Sequence, residues 1–283
     1  MPDDALMRQV LKELESLRGE VRRGRKAEIP ISLGSYIADF IALPGLVGFW
    51  AMTGLWATGA VQDLGGQFWS LAYNGNPVFG QFTYSGGGPT IPYLDFDGVG
   101  DYLARADASF AGADILGTET IFAPGTRGIT LGGWCWWDVA GTPGVTNRPF
   151  ITKQVTTNFS PYQIYLEDPA TQRVKARFSD SDAGTNLAMP TTTSAVSLNA
   201  WHCVIADCVP GGTASLTVDG VEYTASAAAL ASLYNSSGAF EIGRGFGAQM
   251  LDGRAAFCFL CANVLPANMK DMLWKRGKVL FGV

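Results

Sequence analysis

The chain has one histidine, so any Ser-His-Asp relay or imidazole metal site must run through His202. His202 lies between Trp201 and Cys203 in an alternating apolar run. That is the setting of a strand residue facing a neighbour in a sheet, not of a general base in a cleft. Cys258 and Cys261 have CxxC spacing, but a strand through them puts one on each face, a poor geometry for a shared metal. Five cysteines leave an odd one under any pairing, so they read as buried free thiols. Glycoside hydrolysis needs two carboxylates flanking the sugar bond, and the adjacent Glu167 and Asp168 stand beside Pro169 as a turn would. The glycines between Ser85 and Pro89 lack the Lys and helix that follow in a phosphate loop. These residues predict a protein that is not an enzyme.

Binding chemistry has more material. Asp63, Asp97 and Asp101 sit at glycine-rich turns. Either they converge as oxygen ligands for Ca²⁺, or each caps its own turn through Asx bonds; no other cofactor is expected. Sugar sites set an aromatic face beside polar side chains. Tyr73, Phe82, Tyr84, Phe159 and Tyr234 are the candidates for such a carbohydrate site, whereas the strand tryptophans read as core.

The elements that must position these residues are short alternating strands. They include residues 46–52, 128–138, 149–154, 162–167, 174–179 and 199–208. Asp97-Gly98 and Asp219-Gly220 read as tight turns between strands, and Pro266 leads a late helix over residues 267–276. With 47% hydrophobic and only 16% charged residues, and 35 glycines for turns, the composition is that of a large globular core. The expected fold is all-β, a two-sheet antiparallel sandwich over residues 46–283. The formal net charge of −5 excludes a general polyanion binder, so no nucleic-acid partner is expected. Residues 29–52 are broken by Pro30, Asp39 and Pro44 and predict no membrane span. The first residues are acidic and helical rather than basic and then apolar, so no signal peptide is expected.

Residues 1–28 form a separate unit. Met7, Val10, Leu14, Leu17 and Val21 follow alternating steps of three and four, the a/d pattern of a coiled coil. So short a helix needs partners, either the body of its own domain or copies of itself, with a homotrimer favoured. Residues 29–45 then form an apolar connector carrying Ile29, Ile31, Tyr36, Ile37, Phe40 and Ile41. Apolar surface must be covered, so this segment either docks on a neighbouring subunit or larger assembly, or joins the domain's own core.

Several segments occur in a recognisable order. They are Asp63-Leu-Gly-Gly66, Phe96-Asp-Gly-Val-Gly-Asp-Tyr-Leu103, Leu131-Gly-Gly-Trp134, Trp201-His-Cys-Val204, Val218-Asp-Gly-Val221, Ile242-Gly243 and Asp252-Gly-Arg-Ala-Ala256. In this order the chain resembles laminin-G-like (concanavalin A-like) jelly-roll domains of the kind found in bacteriophage virion proteins. The resemblance implies a structural virion protein, such as a head fibre, capsid decoration or tail-associated fibre. It would be made in the host cytoplasm and assembled with other capsid or tail proteins. The alternative is a carbohydrate-binding adhesin or receptor-binding protein meeting host surface glycans, and a weaker one is a glycan-degrading enzyme. Relatives that degrade β-glucans carry a Glu-x-Asp-x-x-Glu strand, which this chain lacks. Where relatives carry an acidic metal-binding pair, this chain has Ala255 and Ala256.

Overall fold

A computed structural model describes residues 31–53, 59–65, 69–83, 89–106, 128–138, 147–153, 161–167, 171–181, 184–234, 236–245 and 249–283. The heptad positions Met7 to Val21, together with Ile29, Tyr84 and Phe159, lie outside the described residues. Two antiparallel sheets pack face to face, as the strand pattern predicts. The first holds β1 (Leu46–Trp50), β4 (Val78–Thr83), β5 (Thr90–Asp97), β7 (Ile129–Trp137), β12 (Trp201–Cys208), β13 (Thr213–Val218), β14 (Val221–Ser226) and β16 (Asp252–Cys261). Its order is β14-β13-β12-β7-β16-β5-β4, with β1 also paired to β16. The second holds β2 (Ala60–Val61), β3 (Leu71–Asn74), β6 (Tyr102–Arg105), β8 (Asn147–Lys153), β9 (Tyr162–Glu167), β10 (Arg173–Ser179), β11 (Leu187–Ala188) and β15 (Phe240–Ile242). Its order is β11-β10-β9-β8-β15-β6-β3-β2.

Strand alternation divides the apolar residues into two layers. On β7, Cys135 and Trp137 enter the core between the sheets. Trp134 and Trp136 face outward into a second apolar layer, which two helices cover in part. A register shift between Ala256 and Phe259, with Phe257 at φ 50°, turns Ala256 and Phe257 both outward. After this bulge Cys258 points into the sandwich and Cys261 away from it. All five cysteines are free and buried, and burial pushes the Cys258 thiol well above its ordinary pKa.

The helices are α1 (Leu33–Ile41) and α2 (Ala267–Phe281); no described helix is long and apolar enough to cross a membrane. For the connector the structure selects the second expectation, the domain's own core. Ser32 Oγ accepts from the Ser35 N–H at 3.1 Å, and Ser35 Oγ accepts from the Ser32 N–H at 3.0 Å, a reciprocal cap. Leu33, Tyr36, Ile37 and Phe40 then fall at i, i+3, i+4 and i+7 and bury one stripe on the chain's own first sheet. Phe40 stacks on Phe49 with ring centres 4.7 Å apart. Tyr36, Ile37 and Phe40 therefore offer no surface to a neighbour; Ile31 is half-buried and Ile41 is 43% exposed. Helix α1 thus packs as one body with the strands that follow from residue 46. The late helix runs to Phe281, beyond the expected end at Arg276, and stops where Gly282 adopts φ 70°.

Two turns that look alike in sequence differ in role. Asp219 and Gly220, at φ 51° and 81°, make the two-residue hairpin between β13 and β14, whose conformation needs positive φ at both positions. Asp97-Gly98 instead carries the chain from β5 in the first sheet to β6 in the second. It is a sandwich corner, not a hairpin.

Candidate functional site

Among the described residues the helices cover only part of the first sheet's outer face, and beside them cross-strand register assembles a polar and aromatic platform. One row of partners reads Trp201, Trp136, Arg254, Asp95 and Val78 across β12, β7, β16, β5 and β4. Beside it Tyr93 partners Gly80. A side chain at Gly80 would come within 2.3 Å of the Tyr93 ring, so the ring lies flat over that glycine. On the other flank Asp252 partners Asp97, and the Asp138 N–H donates to the Asp252 carbonyl at 3.1 Å. From Trp136 to Asp95 spans two inter-strand steps, about 10 Å, the scale of a sugar residue or two.

Arg254 organises this surface. Its guanidinium carbon lies 4.8 Å from the Trp136 ring centre and 5.1 Å from that of Tyr93, held by cation–π attraction to both. Its Nε lies 3.6 Å from Asp95. Trp136 Nε1 donates to Asp138 Oδ1 at 2.7 Å, and the Trp136 ring meets the edge of Trp201 at 5.9 Å. Tyr93, Asp95, Trp136, Asp138 and Arg254 are all half-buried, so rings and carboxylates stay within reach of a ligand.

The charge balance is acidic. Burial raises the Asp95 pKa; Arg254 opposes this, and Asp138 adds repulsion. Burial also raises Asp252, with Asp138 reinforcing it and Arg148 opposing. Burial would raise Asp97 too, but the N–H groups of Gly100, Val99 and Asp101 outweigh it and hold this carboxyl below its usual range. Arg254 and Arg148 are thus two cations, both already engaged, among four carboxylates.

The proposed Ca²⁺ ligands do not converge. Asp63 Oδ1 accepts from the N–H groups of Phe49 and Gly65 at 2.8 and 2.7 Å, and Oδ2 from that of Trp69 at 3.2 Å. Asp97 Oδ1 caps its own corner through Val99 and Gly100, and Asp101 Oδ1 accepts from the Asn76 N–H at 2.6 Å. Asp97, and Asp63 through Gly65, take the Asx alternative; Asp101 and the other bonds of Asp63 instead tie down more distant backbone, at Asn76, Phe49 and Trp69. Among the described residues no group of three or more His, Cys, Asp or Glu side chains is placed to hold a metal ion.

The candidate aromatics scatter as well. Tyr73 packs against the sandwich core from β3, and burial pushes its hydroxyl up to about 12. Tyr234 donates its N–H to Ser179 at the end of β10, five strands from β3 in the same sheet, roughly 24 Å away. Phe82 borders the platform, but it is packed on Phe281 and Trp201. Among the described residues the platform's aromatics are Tyr93 and Trp136, neither of them among the loop candidates.

His202 does meet a serine and an aspartate. Its Nδ1 lies 2.6 Å from Asp219 Oδ2, and its Nε2 lies 2.8 Å from the Ser197 carbonyl oxygen and 3.2 Å from Ser197 Oγ. A carbonyl only accepts, so Nε2 carries a proton, and the carboxylate takes the proton on Nδ1. Burial lowers the His202 pKa, but the Asp219 hydrogen bond and charge outweigh it and the net direction is upward. The ring is a doubly donating clamp, with no lone pair left to activate the Ser197 hydroxyl.

No family model matches the chain, and no curated protein matches it in sequence. Among solved structures it is similar to the receptor-binding domain of the botulinum neurotoxin C/D mosaic serotype, with a TM-score of 0.60 at 10% identity over 83% of this chain and 52% of that one. The serotype D ligand-binding domain, solved with N-acetylneuraminic acid, gives 0.60 at 10% identity over 87% and 53%. A type C neurotoxin structure, whose subject is cell entry dependent on two ganglioside molecules, gives 0.56 at 9% identity over 84% and 52%. The chain spans about half the length of these solved chains. The likeness establishes the β-sandwich fold.

Proposed function

We propose that this chain is a non-enzymatic recognition module that binds a neutral saccharide on the platform of the first sheet. The observation that carries the reading is Arg254 set between the Tyr93 and Trp136 rings, with Asp95 and Asp138 beside them. Aromatic rings offer the apolar face of a sugar a surface, and the carboxylates accept its hydroxyls. The acidic surroundings disfavour a sialylated or uronic ligand. Receptor- and ligand-binding domains among the structural neighbours support recognition rather than catalysis. Titration of neutral and sialylated oligosaccharides against the full chain and Trp136→Ala tests this. Neutral sugars should bind, and the variant should lose them; absence of any saccharide binding overturns the reading.

Display on a virion is the setting that the order of the sequence motifs favours, with the heptads of residues 1–28 joining copies into a trimer. Multivalency would then turn weak single-site binding into avid attachment to host glycans. Solution mass of the full chain and of one lacking residues 1–28 tests the assembly. A monomer mass for both removes the coiled coil, and the protein's absence from purified particles removes the virion.

A further inference from the structure

The strands that end the two sheets are β14 and β4 in the first, and β11 and β2 in the second. Three of these ends are blunted. β11 and β2 are two residues long, and β14 carries Glu222, held by Lys270 at 2.7 Å. β4 is different. It reads Val-Phe-Gly-Gln-Phe-Thr, and all six residues pair with β5 without a register break. Shortness, charge, proline and bulges are the devices that keep a strand edge from pairing, and β4 has none of them. Every second residue points its N–H and C=O away from β5, and no described strand takes up these groups.

The sequence around this edge is uncharged as well. No Asp, Glu, Lys, Arg or His occurs between Asp63 and Asp95. Val78, on the outer side of the strand, is a large apolar residue that is 59% exposed. A two-fold contact sets each residue against itself or a near neighbour in the other copy, so a charge on such an edge would meet its own like. This edge meets none, and a copy of itself supplies matching apolar side chains. For two antiparallel copies to keep their outer faces on one side, one residue must oppose its own counterpart. With Gly80 there, Val78 opposes Phe82 of the second copy, and Phe79 opposes Gln81. The register covers Val78 with an aromatic ring at both ends of the contact. It also sets the two Gly80 backbones side by side, which leaves room for the Tyr93 ring that lies over each.

We propose that β4 is a self-association edge, through which two copies of this chain pair antiparallel about a two-fold axis so that the first sheet runs on from one copy into the other. The contact is small beside the roughly 1,200 Å² that a stable interface buries, so it is reversible and depends on concentration. Both outer faces then lie on the same side, with the two Arg254 residues roughly 25–30 Å apart over five strand steps and a four-residue offset. A ligand surface carrying repeated sugars would engage both at once; this consequence alone rests on the saccharide reading of the platform.

Sedimentation equilibrium from micromolar to submillimolar protein tests the pairing without any sugar. The heptads of residues 1–28 are a separate route to association, so full-length Leu14→Asp, which charges a heptad position, is the background. Its mass should rise with concentration from one copy toward two. Adding Val78→Lys should weaken the association about tenfold or more, and Gln81→Lys should act alike. Both positions are exposed, so the fold, checked by circular dichroism, is kept. Hydrogen exchange reads the strand itself: alternate β4 amides should gain protection as concentration rises and lose it in the lysine variants. A single-copy mass for Leu14→Asp at every concentration overturns the proposal, as does association that both lysine variants leave unchanged. Protection of β4 that is the same at all concentrations assigns the edge to another segment of this chain, and also overturns it.

Discussion

Arg254 and Trp136 are cross-strand partners on β16 and β7, with the guanidinium carbon 4.8 Å from the indole ring centre. The contact orients both groups on an otherwise polar surface. Lysine would keep the charge but lose the planar stack, so Arg254→Lys is expected to weaken saccharide binding as Arg254→Ala does, while Tm changes little. Gly80→Ala should lift the Tyr93 ring from its seat and lower affinity severalfold in a folded protein. Titration of the three variants, with circular dichroism to confirm the fold, checks this; wild-type affinity in all three would remove the platform.

The His202 clamp predicts a pH dependence. The folded pKa lies above the ordinary value, so the protonated ring's contribution is complete below about pH 6.5 and is lost as pH rises through the raised folded value. Asp39, raised to about 6 by burial against Arg276, and Glu241, raised to about 7, also lose stability with rising pH, but over a more acidic range. The His202 share is therefore read as the difference between wild type and His202→Gln in urea midpoints. That difference should be about 1–3 kcal/mol at pH 6 and should shrink toward alkaline pH. A constant difference would show that the ring does not titrate in the clamp.

Tyr36 ties three elements together through one hydroxyl. Trp134 Nε1 on β7 donates to Tyr36 Oη at 2.8 Å, and that hydroxyl donates to the Leu273 carbonyl of α2 at 2.8 Å. Tyr36→Phe leaves the buried Trp134 indole N–H without this partner, while the Leu273 carbonyl keeps its place in the helical ladder of α2, and should cost about 1–3 kcal/mol. Equilibrium denaturation measures it, and a loss below about 0.5 kcal/mol would mean that other groups replace the hydroxyl.

Strand alternation was legible because its period of two is local: the two-faced pattern of Trp134 to Trp137 can be read from neighbours alone. Helix α1 was also legible in principle. Leu33, Tyr36, Ile37 and Phe40 keep a helical period behind the Ser32 cap, but Pro30 and the run of apolar residues suit an apolar connector equally well. The platform was not legible. Tyr93, Asp95, Trp136 and Arg254 come from β5, β7 and β16, and only long-range register brings them together. The same holds for the Asp-Gly turns, because local sequence does not tell a hairpin from a corner between sheets.

Lys270 anchors the C-terminal helix by charge. Its ammonium lies 2.8 Å from Asp207 Oδ2, 2.7 Å from Glu222 Oε1 and 3.2 Å from Ser215 Oγ, bridging α2 to β12, β14 and β13. Burial alone would depress the Lys270 pKa, but the hydrogen bonds to Asp207 and Glu222 outweigh it and raise it. The side chains of Lys270 and Asp207 are each 7% exposed, so removing the cation strands a buried carboxylate, at about 3–5 kcal/mol. Glu222 is half-exposed, so its removal should cost no more than about 1 kcal/mol. Lys270→Met with Asp207→Asn should recover much of the loss, since neither remaining group is then charged. Urea unfolding of the single and double variants gives the coupling directly. Additive losses would show that the helix is held by its apolar face, Trp134 against Phe281 above all, and not by this pair.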